Sequence, residues 1–356
     1  MERQHYDIID RLYHGDALGR DEWMVLLSSL NADEREYLRA KAQEVAVSHY
    51  GKGVFVRALI EISSYCKNNC YYCGIRASNR NAQRYRLSKE EILACCREAD
   101  ALGFNTFVMQ GGEDPCQNDE WVVDVVKSIR AAYPDKAITL SVGERSAEAY
   151  AAFKEAGANR FLLRHETRDD EHYSHLHPKM MSPANRRECL FTLKRLGFQT
   201  GSGMMIGSPG QTDEYLYEDI CFLEELQPQM IGIGPFLPAT NTPFENQNPG
   251  SADKTILMLS LLRLRFPTVL LPATTALATL CHNGMERAIL AGANVVMPNV
   301  SPLEQRKKYS IYDNKKSTGA ESAQQMQQLE DRLNAIGYHI DYARGDFRNL
   351  QLRMNN

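Results

Sequence analysis

Residues 54–73 read VFVRALIEISSYCKNNCYYC. The β-branched, apolar run at its front predicts a strand over 55–62. Directly behind it, three cysteines stand in Cys-x3-Cys-x2-Cys spacing at Cys66, Cys70 and Cys73. Outward from this stretch, short apolar runs alternate with longer amphipathic ones. Further strands are predicted over 105–110, 137–142, 159–165, 199–206, 229–234, 268–273 and 293–298, with helices between them. Such alternation predicts parallel strands with crossover helices, and eight units predict a closed α/β architecture, a (β/α)8 barrel of TIM type. Catalytic groups in such a barrel sit where strands end, so the residues just behind each strand are the ones to read. Helical apolar spacing over 5–50 (Ile8, Ile9, Leu12, Trp23, Leu26, Leu27, Leu30) predicts an N-terminal helical extension over 1–53. The barrel is expected over 54–312 and a C-terminal helical segment, acting as a cap, over 313–356.

With 356 residues, 43% hydrophobic and 24% charged, the composition is that of an ordinary globular protein. A net charge of −4 and a pI near 6.2 give no global attraction to nucleic acid or to an anionic membrane, so a small-molecule substrate is expected. The first residues, MERQHYDIIDRLYHGD, lack the apolar centre of a signal peptide, and the apolar runs near 256–262 and 268–281 are too short or broken by Pro272 to span a bilayer. A cytoplasmic enzyme is expected.

Nine cysteines without a secretory signal argue for reduced thiols or metal ligands. Only Cys66, Cys70 and Cys73 have ligand spacing. Three thiolates on one compact loop suit three irons of a 4Fe-4S cluster and leave the fourth iron open. The alternative is a structural zinc site, which needs four protein ligands, and no fourth Cys or His lies nearby in the sequence. Cys95, Cys96, Cys189 and Cys221 fall within predicted helices, where cysteine behaves as a small apolar residue. Cys116 and Cys281 follow predicted strands, but no ligand partner is spaced around either.

Behind the second strand stands Gln110-Gly111-Gly112-Glu113-Asp114-Pro115. The glycines permit close backbone approach and Glu113 can accept from an ammonium group, although the same run is also a common turn. In AITLSVGE and RFLLRHET, strand alternation opposes Ile138, Leu140, Val142, Phe161 and Leu163 to Thr139, Ser141, Arg164 and Glu166. If the apolar face meets the helices, the polar set points into the barrel. Arg164 and Glu166 then either pair structurally or, with the hydroxyls, serve a carboxylate-bearing or anionic ligand. Thr274 and Thr275 add hydroxyls at the same rim. Arg76, Arg80, Arg84 and Arg86 read as a solvated basic face, or as a dock for a partner or an acidic ligand. His172, His175 and His177 read as a surface loop.

The cysteine loop, with Tyr72 just before its third cysteine, and the Gly111-Gly112-Glu113 turn one strand later resemble the radical S-adenosylmethionine (SAM) superfamily. RALIEISSYCKNNCYYCGIR, QGGEDP, LSVGE, FLLRHET, IGIGPFLP, LPATTA and GANVVMPN further resemble, in order and spacing over roughly 50–312, the HydE group of [FeFe]-hydrogenase maturases, relatives of biotin synthase and methylornithine synthase. The resemblance implies one 4Fe-4S cluster on Cys66, Cys70 and Cys73. It implies SAM held by Glu113 at its amine, Glu166 at its ribose and Arg186 at its carboxylate, with Met205 in an apolar adenine wall and Tyr72, Gly111, Gly112 and Ser141 nearby. Thr139, Arg164, Thr274 and Thr275 match the polar substrate end, Tyr309 and Tyr312 match tyrosines that close the cavity, and Met297 matches an apolar wall. Some HydE proteins carry a second cluster on C-terminal cysteines; residues 282–356 contain none, so that cluster is expected to be absent.

The implied chemistry is one-electron cleavage of SAM to a 5′-deoxyadenosyl radical, which attacks the sulfur of a cysteine-bound iron carbonyl cyanide precursor. An external one-electron reductant and other hydrogenase maturases are the implied partners. Two rivals remain at this point: a methylornithine synthase-like mutase, and a non-catalytic zinc-binding scaffold.

Overall fold

In the computed structural model, which describes residues 2–316 and 323–348, the preface forms three helices: α1 (Glu2–Tyr13), α2 (Arg20–Ser28) and α3 (Ala32–Tyr50). Asn31 starts α3 through a capping box: its Oδ1 accepts from Glu34 N at 3.0 Å and its own N–H donates to Glu34 Oε2 at 2.8 Å. Gly51, at φ +70°, ends it.

The strands are β1 (Gly53–Val56), β2 (Ala58–Ser63), β3 (Thr106–Gly111), β4 (Ala137–Ser141), β5 (Arg160–Leu162), β6 (Gln199–Ser202), β7 (Met205–Ile206), β8 (Met230–Ile231), β9 (Gly234–Pro235), β10 (Val295–Val296) and β11 (His339–Asp341). Among the described residues, a continuous six-stranded parallel sheet runs β2-β3-β4-β5-β6-β8. The register sets Glu61, Gln110 and Ser141 level, and one layer down joins Leu59, Val108 and Thr139.

The expected closed ladder of eight strands is not what forms. Beyond β8 the path continues through the single bridges Met230↔Leu270, Pro272↔Val295 and Leu59↔Asn299, together with β1 paired to β10. Pro267, Pro272 and Pro298 remove N–H donors just where ladders were predicted over 268–273 and 293–298. The predicted strands over 55–62, 199–206 and 229–234 each break in two. In the second, Gly203 adopts φ +149° and lies against Gly232, where a Cβ would meet the Gly232 carbonyl oxygen at 2.0 Å.

Ile138, Leu140, Val142, Phe161 and Leu163 pack into one large core with Val122, Val125, Val126, Leu190 and Leu193 of the covering helices. Each fully buried aliphatic side chain there contributes about 1.5–3 kcal/mol. The far end of the chain is not helical throughout: behind the helix Met326–Ala335, β11 pairs with β1. Arg160, fully buried, then donates to Arg344 O at 2.9 Å and Asp346 Oδ1 at 2.7 Å, closing the end of the barrel away from the cysteine loop. Among the described residues, no helix is long and apolar enough to cross a membrane.

Candidate active site

Cys66, Cys70 and Cys73 lie half-buried and unbridged on the loop leaving β2. Backbone bonds fix that loop on three sides: Lys67 N to Glu113 O at 2.9 Å, Tyr71 N to Leu176 O at 3.0 Å and Gly74 N to Ile311 O at 2.9 Å. Gly112 is where the Gly-Gly turn matters, since a Cβ there would stand 2.2 Å from Tyr65 O and 2.7 Å from Cys66 Cβ. The glycine thus lets the end of β3 reach the cysteine loop.

The basic run expected to be a solvated face is partly structural. Arg84 donates to the carbonyls of Ser64, Ile75 and Arg76. Arg86 forks onto Asp114 at 2.6 and 3.0 Å and lies 3.6 Å over the Tyr65 ring. Carbonyls turned outward by a tight loop need such donors, which the spacing of arginines alone does not reveal. Arg80 is exposed.

The histidine reading is corrected likewise. His172 and His177 are buried on and just behind the helix Asp170–Leu176, while His175 is exposed. His177 Nε2 lies 3.1 Å from Tyr72 Oη and its Nδ1 lies 3.0 Å from Tyr173 O, holding the aromatic that precedes Cys73. Burial lowers the His177 pKa to about 3.

A chain of contacts crosses the barrel mouth. Lys67 Nζ lies 3.2 Å from Glu113 Oε2, and Glu113 Oε1 accepts from Glu144 N at 3.0 Å. Glu144 Oε1 accepts from Arg186 Nε at 2.5 Å, Arg186 Nη1 donates to Arg164 O at 2.7 Å, and Arg164 Nη2 donates to Glu166 Oε2 at 2.8 Å. Burial opposes the charge on Arg186, but Tyr173, Glu144 and Tyr72 outweigh it and raise its pKa. Glu166 is buried at φ +67°, a left-handed backbone that costs a non-glycine residue about 1–3 kcal/mol. Beside this chain opens a cleft of about 730 Å³ whose lining includes Lys67, Glu113, Glu144, Met181 and Asn185.

Thr139 Oγ1, Arg164 Nε and Thr274 Oγ1 are buried with no hydrogen-bond partner among the described residues, as expected of groups kept for a ligand. Thr274, Thr275 and Met297 line one narrow recess. Met205 packs with Leu176, Phe236 and Phe244 in a small cluster against which Tyr71 and Tyr72 rest. Tyr309 is buried and accepts from Gln110 Nε2 at 3.4 Å; Tyr312 and Ser141 are half-exposed. Cys116 is exposed, and Cys95, Cys96, Cys189 and Cys221 all lie on helices.

Sequence reasoning passed over Glu144, Glu61 and Lys315. Glu61 is fully buried, accepting from Lys315 Nζ at 2.5 Å and Asn299 Nδ2 at 2.9 Å. A lone acid inside the apolar strand ALIEIS was the available signal.

Residues 60–223 match the Radical SAM superfamily. The chain is also 43% identical over 294 residues to the [FeFe] hydrogenase maturase subunit HydE of Thermotoga maritima, covering 82% of this chain and 84% of that protein. The chain belongs to the radical SAM superfamily. It is 31% identical over 300 residues to 3-methylornithine synthase of Methanosarcina acetivorans, covering 83% of this chain and 84% of that one. Among solved structures, methylornithine synthase superposes with a TM-score of 0.83 at 27% identity over 94% of this chain and 97% of its own. The maturase HydG superposes with a TM-score of 0.81 at 20% identity over 96% of this chain and 77% of its own, a likeness of fold.

Radical SAM enzymes use a 4Fe-4S cluster and SAM, and the residues present fit both. Burial pushes the Cys66 thiol up against the backbone N–H groups of Asn68 and Glu113 that bond its sulfur, and pushes Cys73 to about 12. Such thiols become thiolates when iron supplies the positive charge. Among the described residues, no three His, Cys, Asp or Glu side chains converge as ligands of a single ion would. A cubane instead takes one thiolate at each of three corners. The open cleft is lined by the carboxylates of Glu113 and Glu144, which suit the ammonium of SAM, and the Arg186 guanidinium bonded to Glu144 behind that lining suits its carboxylate.

Proposed function

We propose that this chain is a HydE-type maturase that works in the cytoplasm on a small, sulfur-containing organometallic substrate during assembly of the hydrogenase diiron site. Cys66, Cys70 and Cys73 hold the cluster; Glu113, Glu166 and Arg186 hold SAM, against Met205 and Tyr72. Arg164, Thr139, Thr274 and Thr275 take the polar end of the substrate, with Met297 as its apolar wall, and Tyr309 and Tyr312 close the cavity. Residues 54–312 form the radical unit, with the helices of 2–50 before it and residues 323–348 after it; the rest of the expected C-terminal segment, 317–322 and 349–356, lies outside the described residues.

When bound, the cluster supplies one electron to the SAM sulfonium, and the cleavage delivers methionine and a 5′-deoxyadenosyl radical. Glu113 and Arg186 would hold the ammonium and carboxylate of SAM and so fix the methionyl end from which the sulfonium extends, while the enclosing barrel would keep stray hydrogen donors out. The observation that carries the substrate reading is the set of buried, partnerless atoms Thr139 Oγ1, Arg164 Nε and Thr274 Oγ1, which suits a carboxylate such as that of a bound cysteine. Other maturases and an external one-electron reductant are the proposed partners.

The test is anaerobic reconstitution with dithionite and SAM, assaying 5′-deoxyadenosine against Cys70→Ala, followed by a synthetic cysteine-bound iron carbonyl cyanide. Product from both steps supports the reading. Turnover of lysine to methylornithine would replace it with a mutase, and one zinc without iron or sulfide would replace it with a scaffold.

A further inference from the structure

Behind Arg164 and Glu166 lie three buried polar residues, His165, Ser202 and Asp219. Strand alternation sets His165 on the face opposite Arg164, where its ring tilts against Phe222 of the helix Asp213–Leu226 with ring centres 4.9 Å apart. His165 Nε2 lies 3.2 Å from Asp219 Oδ1 and its Nδ1 lies 2.9 Å from Ser202 Oγ. A carboxylate only accepts, so Nε2 donates, and in the neutral ring Nδ1 accepts from the Ser202 hydroxyl. His165, Ser202 and Asp219 are 1%, 0% and 0% exposed, so no substrate reaches them despite their likeness to a hydrolytic triad.

Their place along the chain gives them another task. Asp219 Oδ1 also accepts from Arg168 N at 2.6 Å. One oxygen therefore ties the residue just before Glu166 and the residue two after it. Between those ties Glu166 N donates to Gly203 O at 3.1 Å and the backbone takes φ +67°. A non-glycine residue keeps such a conformation only where its surroundings over-determine it. Arg164 O, one residue before His165, is the acceptor of Arg186.

We propose that His165 and Asp219 are positioning residues, which hold the backbone of Arg164 and Glu166 so that both side chains meet SAM and substrate. The inference rests on the reading of Glu166 as a SAM contact. It acts through one shared hydrogen-bond acceptor, and that makes it separable from bulk stability.

The test uses the full chain, reconstituted anaerobically, with rates of 5′-deoxyadenosine formation normalised to iron content. Asp219→Ala removes the shared acceptor, whereas Asp219→Asn keeps an oxygen in its place. His165→Asn is too short to reach Asp219, whereas His165→Gln carries an N–H to about the Nε2 position. Glu166→Gln is the reference. Asp219→Ala and His165→Asn are expected to raise the KM for SAM about tenfold, as Glu166→Gln does, at wild-type cluster content. Asp219→Asn and His165→Gln should return it to within about threefold, and the double variant Asp219→Ala/His165→Asn should be no worse than either single one. If Asp219→Ala does not fold, His165→Asn carries the comparison.

The inference is overturned if Glu166→Gln raises the KM while the two disruptive variants lose only melting temperature or cluster content. If Glu166→Gln leaves the KM unchanged, the reading of Glu166 has failed instead. A raised KM in Asp219→Ala would then support positioning through Arg164 O, which anchors the SAM-binding Arg186, and an unchanged one would overturn it.

Discussion

Glu113 occupies the space that a side chain at Gly143 would need: a Cβ there would fall 2.0 Å from Glu113 Cγ and 2.3 Å from its Oε1. Gly143 also adopts φ +79°. Two strand ends thus interlock, the turn behind β4 making room for the carboxylate presented behind β3.

Gly143→Ala should therefore displace Glu113 and strain the turn at once. The expected result is a KM for SAM raised about tenfold or more, from a local cost of about 1–3 kcal/mol. Initial rates of 5′-deoxyadenosine formation against SAM concentration check it, and an unchanged KM would remove Glu113 from the SAM site.

Arg186 bonds Glu144 through Nε and Arg164 O through Nη1, a planar fork that a lysine cannot reproduce. Arg186→Lys should weaken SAM binding by about 10- to 100-fold, with Glu144→Gln losing less because the amide oxygen still accepts. Equilibrium binding of SAM to the reconstituted variants measures both.

His177 carries a pH signature. Its pKa is lowered by burial from the ordinary 6.5 to about 3, so the unfolded chain takes up a proton that the folded one refuses. Its contribution is present above pH 6.5 and is lost as pH falls toward 3, at about 1.4 kcal/mol per pH unit. His177→Gln, which cannot ionise, should flatten that loss. Urea unfolding of cluster-free protein between pH 7 and pH 5 reads the difference, and parallel slopes for the two proteins would contradict it.

Lys315 reaches into the barrel to pair with Glu61, which is wholly buried. Lys315→Met leaves that carboxylate without its cation and should destabilise the fold by about 3 kcal/mol, whereas the double change with Glu61→Gln should recover most of the loss. Chemical denaturation of the four proteins in the cycle gives the coupling. Additive losses would mean that the pair is not coupled.

The cysteine loop, the strand-helix alternation and the glycines at 111 and 112 were legible in sequence because each is a local requirement. A cluster loop needs its thiols within a few residues of one another, and a strand shows its faces by a period of two. Tyr150, on the helix Ala147–Glu155, meets Phe161 edge-on with ring centres 5.0 Å apart, on the face that this period names. The breaks at Arg57, Gly203 and Gly232 were not legible, because they depend on which neighbour is left to pair with, whereas Pro272 already marked 268–273 as a poor ladder strand.

Composition and spacing by themselves determined a parallel α/β chain with three cysteines in ligand spacing at the end of its first strands, and a polar face on β4 and behind β5. Only the tertiary structure decided that Glu144 and Arg186, 42 residues apart, meet at 2.5 Å, that Arg84 and Arg86 brace the cysteine loop, and that His165, Ser202 and Asp219 stand behind Glu166. Local signals follow from the stereochemistry of a few consecutive residues. The partners of a buried charge follow from the whole path of the chain, because desolvation makes an ion or polar group costly until some distant segment brings its complement.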